Sequence, residues 1–397
     1  MITLWDFFAS LASSAQPRLQ LSTATGTITS TITVKRCKAL GERIGAFFAA
    51  LHSHETRERV LSHLSHLARE DKNDANTDKS SSSPSPSDLI QQSITKEIVL
   101  DCAVEPIFSR LVEHGGLEGD RESTAKKLAA RVRRDFEREP FAGDGNNDER
   151  CFSLGDFHPG SVVLRNSSPL QASKDESNDN NDNDNKILLG IIDWEFATVG
   201  KTGRGVNGDM SQFLAPLRLL MMNSKPRETA NDNNNSGDDK NGNGLLVYEA
   251  VKAFVNGVAT SYAVSSGLRQ RMSAALSSWS AQKGKKDEIK EEKEGDPILE
   301  IFRSALILFG REMINQAVDR EWTDTSNTTS GTSSSSVKER MVKAGAWYLE
   351  RAGESVEEMM GEEGNLRVLL MGEQEGEDGE EGGVMLRLFG LDGTVST

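Results

Sequence analysis

Five tracts built almost wholly of Asn, Asp, Ser, Thr, Gly, Lys and Glu interrupt this chain, at 71–88, 171–186, 226–244, 282–297 and 323–336. Segments of that composition cannot bury enough apolar surface to offset the entropy of ordering them, so they are expected to be disordered. The patterned blocks between them are too short to hold a core alone. They must fold together, which predicts one domain over 37–360 with the tracts as enlarged loops. An N-terminal remnant, 1–36, precedes it, and an acidic, Gly-rich tail, 361–397, follows. Only 36% of the residues are hydrophobic, consistent with much of the chain lying outside a core.

Within the blocks the spacing is mostly helical. Leu40, Ile44, Phe47, Phe48 and Leu51 recur on one face at helical period. Leu128, Val132 and Phe136 form a second stripe. The block from Ser87 to Gly116 reads as one or two helices broken near Pro106 and stopped at the Gly115–Gly116 pair. Residues 246–279, 298–320 and 337–360 also read as helices. Strand signals fall in three places, "GTITSTITV" (26–34), "SVVL" (161–164) and "ILLGIID" (187–193). The last two can pair as a hairpin around the Asn/Asp tract, because loop closure costs little more as a loop lengthens. The expected class is α+β, a helical body carrying a short β-hairpin.

The net charge of −15 argues against a nucleic-acid or anionic-membrane surface. No run of eighteen apolar residues is present, so no membrane span is expected. "MITLWDFFASLASSA" is apolar but lacks a basic start and carries Asp6, so it is not read as a cleaved leader. The three cysteines, Cys37, Cys102 and Cys151, show no metal-binding or disulfide spacing, which fits a reducing, cytoplasmic compartment.

Each hairpin strand is associated with an acid: Asp156 precedes the first and Asp193 ends the second. The segments "GDFHPGSVVL" and "GIIDWEFA" together resemble the catalytic region of the aminoglycoside phosphotransferase and choline kinase-like family, whose usual form is H-G-D-x-H-x-x-N followed by I-I-D-W-E. "GRGVNGDMSQFLA", "FGREMINQAVDREW" and "AGAWYLERAG" resemble downstream helices of fungal-type members. The resemblance covers roughly residues 37–360 outside the insertions. It implies a protein kinase-like large helical lobe with a short catalytic β-hairpin. The implied activity is transfer of the γ-phosphate of ATP to a hydroxyl of a small molecule, with Mg²⁺ as cofactor.

Carried over, Asp156 is the base that takes the acceptor's proton, and Asp193 binds Mg²⁺ on the nucleotide. Ser161 stands where the family has Asn and is the second metal ligand. Glu195 adds a carboxylate near the metal. Asp209 matches an acid that props the catalytic loop, and His158 matches a second family His that shapes it. Leu154 replaces the first family His, keeping packing and losing a polar tie. Phe157 and Trp194 read as core residues. Glu113, Glu137 and Glu312 read either as solvated helix faces or as attractants for an amine-bearing substrate. Without the resemblance, Asp156 and Asp193 read as turn and cap acids.

A nucleotide-clamping lobe with a glycine-bearing loop and a strand lysine takes more room than residues 1–36 provide, so that lobe reads as truncated. Lys35, with Arg36 and Lys38, reads as a basic helix start rather than an ATP contact. The alternative functional reading is a catalytically inactive, pseudokinase-like binding module or a truncated gene product.

Overall fold

The computed structural model describes residues 1–12, 26–74, 93–117, 119–141, 149–166, 187–199, 204–225, 240–283, 296–322, 335–361 and 383–391. Strand β1 (Ile2–Thr3) leads into α1 (Leu4–Ala12). Helices α2 (Gly26–Leu51), α3 (His54–Asp74), α4 (Ser93–Val99), α5 (Ile107–His114) and α6 (Arg121–Glu137) follow. The hairpin strands are β2 (Val162–Asn166) and β3 (Ile187–Ile191). Helices α7 (Ser211–Ser224), α8 (Lys240–Ser265), α9 (Leu268–Lys283), α10 (Pro297–Asp319), α11 (Ser335–Arg351), α12 (Val356–Met360) and α13 (Gly383–Leu388) complete the body. The protein is mostly helical with one small antiparallel sheet, and no described helix is long and apolar enough to cross a membrane.

The helices pack by leaving out side chains. A methyl group at Gly41 would overlap the Phe254 carbonyl, one at Gly45 the Val258 carbonyl, and one at Gly257 the Lys38 carbonyl. Helices α2 and α8 therefore meet backbone to backbone. Around that seam Leu40, Ile44, Phe48, Phe254 and Val258 are buried in a common core. Gly310 and Gly345 repeat the device between α10 and α11, where a methyl at Gly310 would lie 2.6 Å from the Gly345 carbonyl oxygen.

The hairpin pairs in antiparallel register, Val162 opposite Ile191 and Leu164 opposite Leu189. Those residues turn toward the core, while Val163, Arg165 and Leu188 alternate outward. Ile2–Thr3 completes a three-stranded sheet in the order β1-β2-β3. The opening segment thus belongs to the fold, with Leu4 and Phe8 fully buried.

Several expectations change. The 26–34 segment is not a strand but the first turns of α2. The Thr, Ile and Val residues continue the helix that Leu40, Ile44 and Phe48 anchor, and tertiary packing of that helix overrides their local strand preference. Lys35, Arg36 and Lys38 accordingly sit inside a helix rather than at its start. Phe47 is 43% exposed and lies off the core stripe. The tail is not wholly solvated, because Val384, Met385, Leu386, Leu388 and Phe389 are buried and Phe389 packs edge-on against Phe302.

Helices also run into the edges of the low-complexity tracts. α3 reaches Asp74, α8 starts at Lys240, α9 ends at Lys283 and α11 starts at Ser335. Asp296 caps α10 by accepting from the Ile298 amide, with Pro297 in the first turn, where a missing N–H costs nothing. The tract at 171–186 lies outside the described residues, as do 75–88, 226–239, 284–295 and 323–334. The break near Pro106 and the stop at Gly115 are present. Glu312 is not a solvated acid: it is buried and its carboxylate takes two hydrogen bonds from Arg311.

Candidate active site

Residues 151–161 form a loop that is fastened at both ends. Ser153 exchanges two backbone hydrogen bonds with Thr198, at 3.0 and 2.8 Å. At the other end the Ile192 amide donates to the Ser161 carbonyl at 2.9 Å. Between them Gly155 has φ +81°, and a methyl there would lie 2.6 Å from the Phe196 carbonyl oxygen. Only glycine suits that position, since both its conformation and its close approach exclude a side chain. The two acid-bearing motifs are thereby laid side by side.

Asp156 follows directly and is half-buried, with one carboxylate oxygen accepting from Gln212 Nε2 at 3.1 Å. Phe157 is fully buried between Phe48 and Phe213, ring centroids 4.2 and 4.4 Å away, which anchors the loop beneath Asp156. His158 turns back on the chain, its Nδ1 accepting from the Gly160 amide at 3.0 Å, and so caps the short turn Pro159–Ser161. Ser161 is 1% exposed, and its Oγ has no hydrogen-bond partner among the described residues. A buried hydroxyl left unpaired is costly and calls for a reason.

Asp193 follows β3 with φ +63°, the one non-glycine residue at positive φ among the described residues. Left-handed backbone in a side-chain-bearing residue is a strain that concentrates at functional sites. The turn is held by the Trp194 indole N–H, which donates to the Ile191 carbonyl at 2.8 Å, and by the Ala197 amide, which donates to the Trp194 carbonyl. Trp194 is therefore not a core residue; it is 42% exposed and stacks on Phe152. Glu195 is exposed on the same turn. Among the described residues no three His, Cys, Asp or Glu side chains come together as a metal-binding group.

Asp209 lies on a π-type turn, Gly205–Met210, and is 1% exposed. Its carboxylate accepts from the Leu154 amide at 2.7 Å, the Gly155 amide at 3.0 Å and His52 Nε2 at 3.1 Å. Leu154 itself is fully buried. His52 also meets the Tyr262 hydroxyl at 2.9 Å through Nδ1. The spacing that exposes the Asp209–Gln212 pair is readable: three residues apart on consecutive turns, they face the same loop. His52 and Tyr262 were not legible as site residues, because they reach Asp209 from distant helices.

A buried ion network fixes the turn that carries Asp209. Arg138 grips Glu149 with two hydrogen bonds of 2.8 Å. Arg204 donates to the Asp135 carboxylate at 3.2 Å and to the backbone carbonyls of Asp135 and Arg138. Asn207 donates to Glu149 and to Ser304, and the Ser304 hydroxyl donates to Asp135. Burial pushes the Glu149 carboxyl up, but the Arg138 hydrogen bond, the charges of Arg204 and Arg138 and the Asn207 amide outweigh it. The group ends below the ordinary carboxylate range.

For a magnesium ion, the donors on offer are the Asp193 carboxylate and the orphaned Ser161 hydroxyl. Magnesium takes oxygen ligands and is often held by one or two protein groups plus substrate phosphates and water. The donor set fits that pattern. A depression of about 960 Å³ lies elsewhere, along one face of α3 lined by His54, Glu58, Arg59 and His63, and involves none of these residues. No protein-family model matches this chain, and no curated protein matches it.

Proposed function

We propose that this chain carries the large lobe of a protein kinase-like phosphotransferase of the aminoglycoside phosphotransferase type, acting in the cytoplasm on a hydroxyl of a small molecule with ATP as donor. The observation that carries the reading is the hydrogen bond from the Ile192 amide to the Ser161 carbonyl. It makes Asp193, held in a left-handed turn, a neighbour of a buried hydroxyl that has no partner among the described residues. Asp156 stands on the adjoining loop.

In the proposed reaction the acceptor hydroxyl hydrogen-bonds to Asp156, on the carboxylate oxygen that Gln212 leaves free. As the acceptor oxygen bonds to the γ-phosphorus, its proton passes to Asp156 and the bond from phosphorus to the bridging oxygen breaks, releasing ADP. Asp193 and Ser161 would hold magnesium, which when bound neutralises charge on the phosphates. The outward face of the sheet, with Leu188 48% and Ile192 41% exposed beside Val163 and Arg165, runs toward Asp193 and offers a surface for a flat base.

A Mg²⁺-dependent ADP-release assay across a panel of small alcohols and amino alcohols tests this. Acceptor-dependent release is expected, reduced by about 10²–10⁴ in Asp156→Asn. Equal rates in that variant would remove Asp156 as base. A second reading, an inactive binding module, is favoured by one observation: none of the described strands carries a lysine to meet the phosphates. Acceptor binding with no ADP release from any acceptor would favour it.

A further inference from the structure

We infer that His52 is a positioning residue, which holds the Asp156 loop through a buried relay running from Tyr262 through His52 to Asp209. The inference rests on the proposed function only in regarding that loop as catalytic; the relay itself stands on geometry.

Four segments far apart in the chain converge here: the residue just past α2, α8, the Gly205–Met210 turn and the loop at Leu154–Gly155. The His52 side chain is 4% exposed and that of Asp209 is 1% exposed. A carboxylate only accepts, so the hydrogen between His52 Nε2 and Asp209, 3.1 Å apart, comes from the imidazole. That leaves Nδ1, 2.9 Å from the Tyr262 hydroxyl. Burial, followed by the nearby Cys151, pushes the Tyr262 hydroxyl well above its ordinary range, so it keeps its proton and has one to give to Nδ1. A neutral imidazole with its proton on Nε2 satisfies both contacts, and in the inferred relay donation runs from Tyr262 to His52 to Asp209.

The consequence falls on the loop. One oxygen of Asp209, Oδ2, takes both the His52 hydrogen bond and the Leu154 amide, while Oδ1 takes the Gly155 amide. His52 thus sets the rotation of that carboxylate, whose other two hydrogen bonds come from backbone amides. The ring is itself held: a methyl at Gly205 would lie 2.9 Å from its Cγ and Nδ1, and Phe48 packs 5.5 Å from it. Gly155 is wedged against the Phe196 carbonyl, so the amides cannot follow a rotating carboxylate. Asp156 is the next residue along.

Hydrogen exchange at the Leu154 and Gly155 amides, with nitrogen-detected NMR of the imidazoles, tests the relay on the full chain without needing activity. The His52 signal, assigned by its loss in His52→Gln, is expected to show the proton on Nε2. His52→Phe is expected to speed exchange at both amides by about tenfold or more, the scale of losing one hydrogen bond to a charged group. His52→Gln, whose amide can still donate to Asp209, is expected to retain protection. Protection unchanged in His52→Phe overturns the inference, as does protection lost equally in His52→Gln. Should His52→Phe fail to fold, the tautomer in the unaltered chain decides: a proton on Nδ1 overturns it. Absence of ATP binding by the unaltered chain would sink the phosphotransfer reading and leave these readouts in force.

Discussion

The α2–α8 seam and the Asp156 loop are held by opposite means. In the seam, Gly41, Gly45 and Gly257 let two helices touch backbone to backbone, and no charge takes part in those close approaches. Around the loop, position is set by directed polar contacts: Asp209 on two amides, and Glu149, Arg138, Arg204 and Asn207 on the turn that carries Asp209. The first arrangement is intolerant of volume and indifferent to pH. The second accepts small changes of shape but depends on charge. The body is built to be rigid, and the site is built to be aimed.

The largest expected break in that contrast is at Glu149. Replacing it by Ala leaves Arg138 without its two-point partner in a buried place and should cost about 3–5 kcal/mol by urea denaturation. The effect should depend on pH with a definite sign. Because the folded-state carboxyl lies below its ordinary value of 4.5, its contribution is fully present above that value and is lost as pH falls through the folded pKa. The gap between the unaltered chain and Glu149→Gln should therefore narrow on acidification; a gap that widened would contradict the network. A smaller effect is expected at Gly41. Ala there gains about 1 kcal/mol of helix propensity, yet its methyl meets the rigid Phe254 carbonyl, and overpacking of this kind costs about 1–3 kcal/mol. The expected result is net destabilisation that does not vary between neutral and mildly acid pH. Stabilisation by Gly41→Ala would show that the helices can part at no cost.

What could be read in the sequence follows the same division. The stripe of Leu40, Ile44 and Phe48, the break at Pro106 and the pairing of β2 with β3 were all legible, because each is written in local spacing. Segment 26–34 was misread because its Thr, Ile and Val content favours a strand, while its actual state is decided by the helix it continues. The 383–391 segment was hidden by the acidic, Gly-rich residues around it, though its Val, Met, Leu and Phe fill the core. Asp156, Ser161 and Asp193 stood out as a motif, and so did Asp209. His52 and Tyr262 did not, since nothing in a helix end or a buried tyrosine tells which distant acid it will meet.

The central claim is that Asp193 and Ser161 form the metal-nucleotide corner of the site. Isothermal calorimetry of MgATP with the full chain, beside Asp193→Asn, tests it most directly. Asn is the apt replacement because it tolerates the left-handed backbone at this position while removing the charge. The account predicts Mg²⁺-dependent ATP binding by the unaltered chain, lost in the variant. No binding by the unaltered chain, or equal binding by both, would contradict it.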